Sequence, residues 1–237
     1  MVEHGKKFNE VAKLVEEGKE YTPEEAASIV KKTARAKFDE TVELHIRMGL
    51  DPRQATQQVR GVALLPYGLG KQVRVLVFAQ GDAEKIAKSA GADFVGSDEI
   101  IKQIEGGWAD FDTAIATPDM MSKVGKLGKV LGRKGLMPNP KSGTVVAASD
   151  LPRVIEDSRK GRVEFKLDKQ AIIHVALGKI SFEPEKIIAN MGAVMEAIVR
   201  AKPSGAKGQY IKSTTVKSTM GPAIPVAVKL AESMTTA

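Results

Sequence analysis

The hydrophobic pattern of this chain changes period twice along its length, and one uniform sheet cannot accommodate such a change. From Thr41 to Met48 apolar and polar residues alternate, with Val42, Leu44, Ile46 and Met48 on one side and Glu43, His45 and Arg47 on the other. Alternation of this kind describes a strand with one buried face and one wet face. Residues 163–167 repeat it, residues 172–178 follow it less strictly, and residues 209–216 read as a further exposed strand dominated on one side by Lys and Thr. One-sided strands belong to an antiparallel sheet backed by helices. The middle of the chain differs. Residues 73–78, Phe94–Gly96 and Thr113–Ala116 are short and almost continuously apolar, and helical patterns over 83–90 and Asp98–Glu105 lie between them, the second with Ser97 placed as its N-cap. Strands apolar on both faces, alternating with helices, predict a small parallel sheet covered on both sides.

The pattern therefore predicts an α/β chain of two domains. A discontinuous outer domain, residues 1–67 plus 160–237, receives an inserted α/β domain of residues 68–159. The crossings fall at turn-rich stretches, Pro-Tyr-Gly-Leu-Gly at 66–70 and Ser-Arg-Lys-Gly at 158–161. Two adjacent crossings make a hinge. In the outer domain Thr22-Pro-Glu-Glu25 is a capping box with Pro at the first helical position, opening a helix to about Arg35. Residues 183–202 place Ile187, Met191, Val194, Met195 and Ile198 on one stripe, a helix that covers a sheet.

Composition narrows the chemistry. The 237 residues contain no Cys, which excludes disulfides, thiolate metal sites and a cysteine nucleophile. The N-terminus runs into charged residues without an apolar signal region, and no apolar run approaches the roughly 18 residues of a membrane span. These features predict a soluble, cytoplasmic protein. The formal net charge of +7 is unevenly spread. Residues 1–67 carry 11 basic and 11 acidic side chains, 68–159 carry 13 and 12, and 160–237 carry 12 and 6. Residues 120–149 and 197–231 each hold six Lys or Arg and no acid at all. Basic surface without interleaved carboxylates suits a phosphate-bearing partner, because nearby acids weaken the field that displaces counterions. A solvated Lys-rich surface is the plainer reading of either stretch alone.

Enzyme signatures fail one by one. Gly68-Leu-Gly-Lys71 looks like the end of a phosphate loop, but Gln72 stands where Ser or Thr should hold magnesium, and the segment leads into a strand instead of a helix. The turn after Phe78 has one glycine and no dinucleotide fingerprint. His4, His45 and His174 show no metal-ligand spacing, and surface or RNA-facing roles suit the last two better than catalysis. No serine stands in a G-x-S-x-G turn. Neither an enzyme nor a cofactor is indicated.

Two segments remain. Residues 125–143 combine glycines, which allow close backbone approach, with Lys126, Lys129, Arg133, Lys134 and Lys141 on what reads as a long, Pro-stiffened loop. Residues 212–225 hold five hydroxyls, two lysines and Met220 before Gly-Pro. Hydroxyls both donate and accept, which suits the 2′-hydroxyls and phosphates of folded RNA. The runs Leu131-Gly-Arg-Lys-Gly-Leu-Met-Pro-Asn139 and Ser213-Thr-Thr-Val-Lys-Ser-Thr-Met-Gly-Pro222 resemble the large-subunit ribosomal protein one family in its bacterial form, and the similarity extends over essentially the whole chain.

That resemblance implies an outer domain of split β-α-β-β-α-β type with a Rossmann-like insert. It implies direct binding of 23S rRNA at the mobile stalk beside the E site, a part in release of E-site tRNA, and repression of the chain's own operon by binding its mRNA. Carried over by motif, the rRNA contacts are Lys37, Phe38 and Thr41, with Ser213, Thr215, Thr219, Met220 and Gly221. Charge and strand position add Arg162, Lys166, Lys169 and Lys217, and the 125–143 lysines and arginine form a secondary RNA or tRNA contact. A free-standing nucleic-acid regulator shares the charge pattern but calls for a helix basic along one face, which the sequence does not show. A nucleotide-dependent enzyme lacks its loop and its base.

Overall fold

The computed structural model describes residues 5–234. In chain order its regular elements are α1 (Lys6–Ala12), α2 (Pro23–Thr33), β1 (Thr41–Met48), β2 (Arg60–Leu64), β3 (Val75–Phe78), α3 (Asp82–Ser89), β4 (Phe94–Gly96), α4 (Asp98–Glu105), β5 (Thr113–Ala116), α5 (Met121–Val124), α6 (Gly128–Lys134), α7 (Leu151–Arg159), β6 (Arg162–Lys166), β7 (Ile172–Lys179), α8 (Pro184–Arg200), β8 (Ile211–Ser218), β9 (Ile224–Val226) and α9 (Val228–Glu232). The chain divides into two compact units, one formed by residues up to Gly70 and from Gly161 onward, the other by Lys71–Lys160.

In the first unit an antiparallel sheet runs in the order β7-β1-β8-β9. Strand β1 lies inside it because its alternation is strict. Val42, Leu44, Ile46 and Met48 are buried and share one core with Ile173, Val175 and Leu177 of β7 and Val216 of β8. Helix α2 adds Ala26, Ala27 and Val30, and α8 adds Ile187, Met191, Val194, Met195 and Ile198 to the same core. Each fully buried Leu, Ile or Met side chain contributes about 1.5–3 kcal/mol, so this layer is what closes the unit. The capping box of α2 is formed, with the Glu25 amide donating to Thr22 Oγ1 at 3.3 Å and the Thr22 amide to Glu25 Oε2 at 3.1 Å. The helix ends at Thr33, two residues before the expected Arg35. The amides of Arg35 and Ala36 leave the helical ladder and donate to the Glu40 carboxylate.

The two-stranded sheet of β2 and β6 shows a strand that alternation did not reveal. Val59, Ala63 and Leu65 point to the core, but Val62 and Leu64 on the outer side are apolar too, so the period was masked. Gly61 fills the remaining inward position. A Cβ there would stand 2.6 Å from Cζ of the buried Phe165 ring on the partner strand.

The two crossings meet within this unit. The Leu65 amide donates to the Gly161 carbonyl at 3.1 Å, and Gly161, with φ of 103°, packs directly on the Gly68 backbone. Asn190 of α8, fully buried, fixes them to the core. Its Oδ1 accepts from the Tyr67 amide at 3.1 Å, and its Nδ2 donates to the carbonyls of Gly68 (3.0 Å) and Leu177 (2.7 Å).

In the second unit β4, β3 and β5 form a parallel sheet in that order. Val75, Val77 and Ile115 face α3 and α7, whereas Leu76, Phe78, Ala114 and Ala116 face the layer containing α4, α5 and α6. Both strand faces are buried, as continuous apolar strands require. Ser97 precedes α4, but its side chain makes no capping bond, which departs from the expectation. The larger correction concerns residues 125–143. Residues 121–134 are helical, through α5, a 3-10 turn at Gly125–Leu127, and α6. Val124, Leu127 and Leu131 recur at helical spacing and are buried, while Gly125 and Gly132 are exposed positions on the same run. Glycines that read as loop signals are tolerated there because packing outweighs their propensity cost of about 1 kcal/mol each.

Gly61→Ala is expected to lower stability by about 1–3 kcal/mol, because the buried Phe165 ring has no room to retreat. Urea unfolding checks it. A stability equal to wild type would show that the β2–β6 pair is loosely packed.

Candidate nucleic-acid interface

The β7-β1-β8 face turned away from the core carries the polar half of each alternation. Its cross-strand rows follow from the register. Arg47 lies opposite Ser213 and Ile172, His45 opposite Thr215 and His174, and Glu43 opposite Lys217 and Ala176. At the far end Thr41 lies opposite Lys179, whose Nζ donates to Thr41 Oγ1 at 2.9 Å. The face is a mixed platform of hydroxyls, imidazoles and charges on a rigid sheet about 23 Å long.

At the Thr41 end two loops are tied together. Glu40 is 1% exposed, and its carboxylate accepts from three backbone amides: Oε1 from Arg35 (2.9 Å) and Ala36 (2.7 Å), and Oε2 from Met220 (2.9 Å). Arg35 Nε donates back to the Met220 carbonyl at 3.3 Å. Burial pushes the Glu40 pKa up, but the Ser218 hydroxyl and the three amides outweigh burial and leave it below its ordinary value. Thr219 locks the same junction. Its Oγ1 accepts from the Thr41 amide at 3.0 Å and donates to the Thr41 carbonyl at 3.3 Å, and its own amide donates to that carbonyl at 3.0 Å.

These bonds hold two apolar side chains out into solvent. Phe38 is 56% and Met220 47% exposed, and Lys37 beside Phe38 is exposed as well. Exposed large apolar groups on a pinned scaffold suit stacking against unpaired bases. Gly221 is buried, and a Cβ there would stand 2.5 Å from Ser218 Oγ, so it serves the turn more directly than a ligand.

The structure thus gathers Lys37, Phe38, Thr41, Thr219, Met220 and Gly221 at one end, with Ser213, Thr215 and Lys217 along the adjoining face. Lys169 lies in the turn before β7, at the Arg47 end of that face, and is exposed. Arg162 and Lys166 stand at the two ends of β6, in the other sheet, and do not join the rows. Of the five hydroxyls in this segment, Thr214 and Ser218 are buried on the core side. Glu40 was missed in the sequence because an acid in a basic neighbourhood carries no positive signal. His45 and His174, 129 positions apart, meet with Nδ1 atoms 2.7 Å apart. His4 lies outside the described residues.

In the second unit Lys126, Lys129 and Arg133 recur at helical spacing opposite Leu127 and Leu131, and Lys134 adjoins them, all exposed. A helix basic along one face, which the sequence reading did not find, is therefore present. Lys141 is exposed in a 3-10 turn stiffened by its neighbours, with the Asn139 amide donating to Thr144 Oγ1 (2.8 Å) and the Lys141 amide to Asn139 Oδ1 (2.8 Å). Among the described residues no group of three or more His, Cys, Asp or Glu is placed to hold a metal ion, and no helix is long and apolar enough to cross a membrane.

Residues 30–222 match the Ribosomal protein L1p/L10e family. The chain is 62% identical over 234 residues to proteins named large ribosomal subunit protein uL1 from Dehalococcoides mccartyi strains BAV1 and CBDB1, covering 99% of this chain and 99% of each relative.

Glu40→Gln keeps the shape but turns an amide donor toward a backbone N–H, and is expected to cost about 1–3 kcal/mol at pH 7. A carboxyl whose folded-state pKa is lowered contributes stability above its unfolded pKa and loses it as pH falls through the folded value. The gap between wild type and variant should therefore close in acid, below the ordinary carboxyl range. Equilibrium unfolding followed by circular dichroism at both pH values checks it, and a gap unchanged in acid rejects the ionised clip.

Proposed function

The chain belongs to the Ribosomal protein L1p/L10e family, and from that premise we propose that it is a non-enzymatic structural component of the large ribosomal subunit that binds 23S rRNA at the mobile stalk. It acts in the cytoplasm, on the ribosome. The observation that carries the reading is the pinned end of the first unit, where Glu40 and Thr219 hold Lys37, Phe38 and Met220 outward beside a hydroxyl-rich sheet face. Affinity comes mostly from Lys and Arg against phosphates. Discrimination comes from the shape of the fixed loops, with hydroxyls reaching sugars and the two apolar side chains reaching unstacked bases.

Two finer roles belong to the same proposal. The chain assists release of E-site tRNA, with the basic helical face of Lys126, Lys129 and Arg133, together with Lys134 and Lys141, as the contact surface of the second unit. It also represses its own operon by binding a messenger segment that folds like the rRNA site. The second rests on the principle that RNA recognised by shape is recognised wherever that shape occurs.

The test is binding to a stalk transcript against a generic duplex, titrated from low to high salt. Wild type should keep a large margin for the stalk at high salt. Met220→Asp should lower stalk affinity at least about tenfold, near 1.4 kcal/mol, with little change for duplex. Lys217→Ala should weaken both and reduce the salt slope by about one unit. Equal loss of stalk and duplex binding in the Met220 variant would refute the shape reading.

A further inference from the structure

Four titratable groups form a chain across the wet face. His45 Nε2 lies 3.5 Å from Glu43 Oε2, the two Nδ1 atoms are 2.7 Å apart, and His174 Nε2 lies 3.5 Å from Asp168 Oδ2. His45 Nε2 is buried and makes no hydrogen bond among the described residues, Glu43 being the carboxylate beside it, and the rings meet edge to face at 4.9 Å between centroids. Asp168 is fixed in its turn by the amides of Gln170 (2.8 Å) and Ile172 (2.7 Å). The other charged groups on this face are Arg47 on β1, Lys169 beside Asp168 in the turn before β7, and Lys217 on β8, the last across from Glu43, with Lys179 at the Thr41 end.

Counting protons decides the state. A neutral imidazole carries one N–H. Two neutral rings therefore supply two protons to four nitrogens. One proton bridges the Nδ1 pair and one serves a single Nε2, so the remaining Nε2 presents a lone pair to a carboxylate. Either tautomer leaves that repulsion, at Glu43 or at Asp168. A third proton removes it, because both Nε2 atoms then donate to their carboxylates while the Nδ1 pair shares the last.

We propose that His45 and His174 act as a single proton-holding dyad, positioning residues that bind one extra proton and thereby make the affinity of this face for RNA depend on pH. The proposal rests on the reading of that face as the rRNA interface. With the proton in place Glu43 and Asp168 are both compensated, and the centre of the platform does not repel phosphates. Without it one of the two carboxylates stands uncompensated toward an anionic partner. Burial, the nearby charge of His174, and Lys217 hold His45 below its ordinary pKa against the opposing effect of Glu43. Phosphates favour the protonated dyad, so RNA affinity should be highest in mild acid and fall as pH rises through the upper of the pair's two steps.

The first measurement is imidazole ¹⁵N NMR of the full chain without RNA, from pH 5 to 9. Both Nε2 atoms protonated around one bridging Nδ1 proton, with two steps separated by more than about one unit, supports the dyad. Two independent titrations at the ordinary histidine value overturn it. The second is affinity for the stalk transcript over the same range at fixed salt. Wild type should lose up to about tenfold per pH unit above the upper step, the limit for one linked proton. His174→Gln should flatten that profile while still preferring stalk to duplex, and an unchanged profile overturns the linkage. If wild type shows no stalk preference at any pH, the RNA reading and the linkage fail together, and the NMR result decides the dyad separately.

Discussion

The Thr41 end of the first unit depends on a carboxylate buried among backbone amides. Glu40 sits between the end of α2 and the start of β1, and accepts from Arg35, Ala36 and Met220. Those amides would otherwise be orphans, two at a helix exit and one in a turn, and the carboxylate would be a buried charge costing several kcal/mol. Each side of the arrangement removes the other's penalty. It also determines where α2 stops and where the loop after β8 stands, with Glu40 and Met220 180 residues apart in sequence. Thr219 repeats the device with a neutral group, closing the same junction onto Thr41 in both hydrogen-bonding directions.

A second junction controls how the chain leaves the first unit and returns. Asn190, on the buried side of α8, uses Oδ1 and Nδ2 on the backbone of Tyr67, Gly68 and Leu177. The close approach of Gly161 to Gly68 leaves no room for a side chain at that point. The exit and return strands are thereby bound to the helix that carries much of the core, so the insertion does not loosen the unit that receives it. Both junctions use a polar side chain to satisfy backbone groups that no sheet or helix can reach, as buried polar groups require.

What the sequence made legible was whatever obeys a local rule. The strict alternation of Thr41–Met48, the capping box at Thr22 and the stripe on α8 were readable because each is set by neighbours a few residues away. Strand β2 was hidden because Val62 and Leu64 are apolar on the outer side, and helix α6 because exposed glycines imitated a loop. The motif residues of the candidate interface stand out in the sequence, but the bonds that hold them do not. Thr219 reads as a free hydroxyl until Thr41 is brought to it, and Glu40 reads as an ordinary acid until three amides surround it. His45 and His174 are isolated in sequence and adjacent across β1 and β7. Long-range pairings such as these carry no periodic trace.

If this face binds RNA as proposed, the acids on it offer a way for a surface with many basic groups to be selective. A face of lysines alone would hold any polyanion, with an affinity that vanishes in salt. Glu43 and Asp168 place negative charge among the hydroxyls, and cationic or proton-sharing neighbours, Lys217 and the two imidazoles, stand beside them. On the proposed reading, a phosphate approaching in the wrong register would meet a carboxylate, whereas one in the right register would meet Lys217, Arg47 or the loop at Lys37. Like-charge juxtaposition penalises wrong partners more than opposite charge rewards correct ones, so the embedded acids contribute discrimination. On the proposed RNA-binding reading, the pinned Phe38 and Met220 would add contacts available only to a partner already in register, which would make the fixed geometry of the Glu40 junction, more than the number of positive charges, the source of specificity.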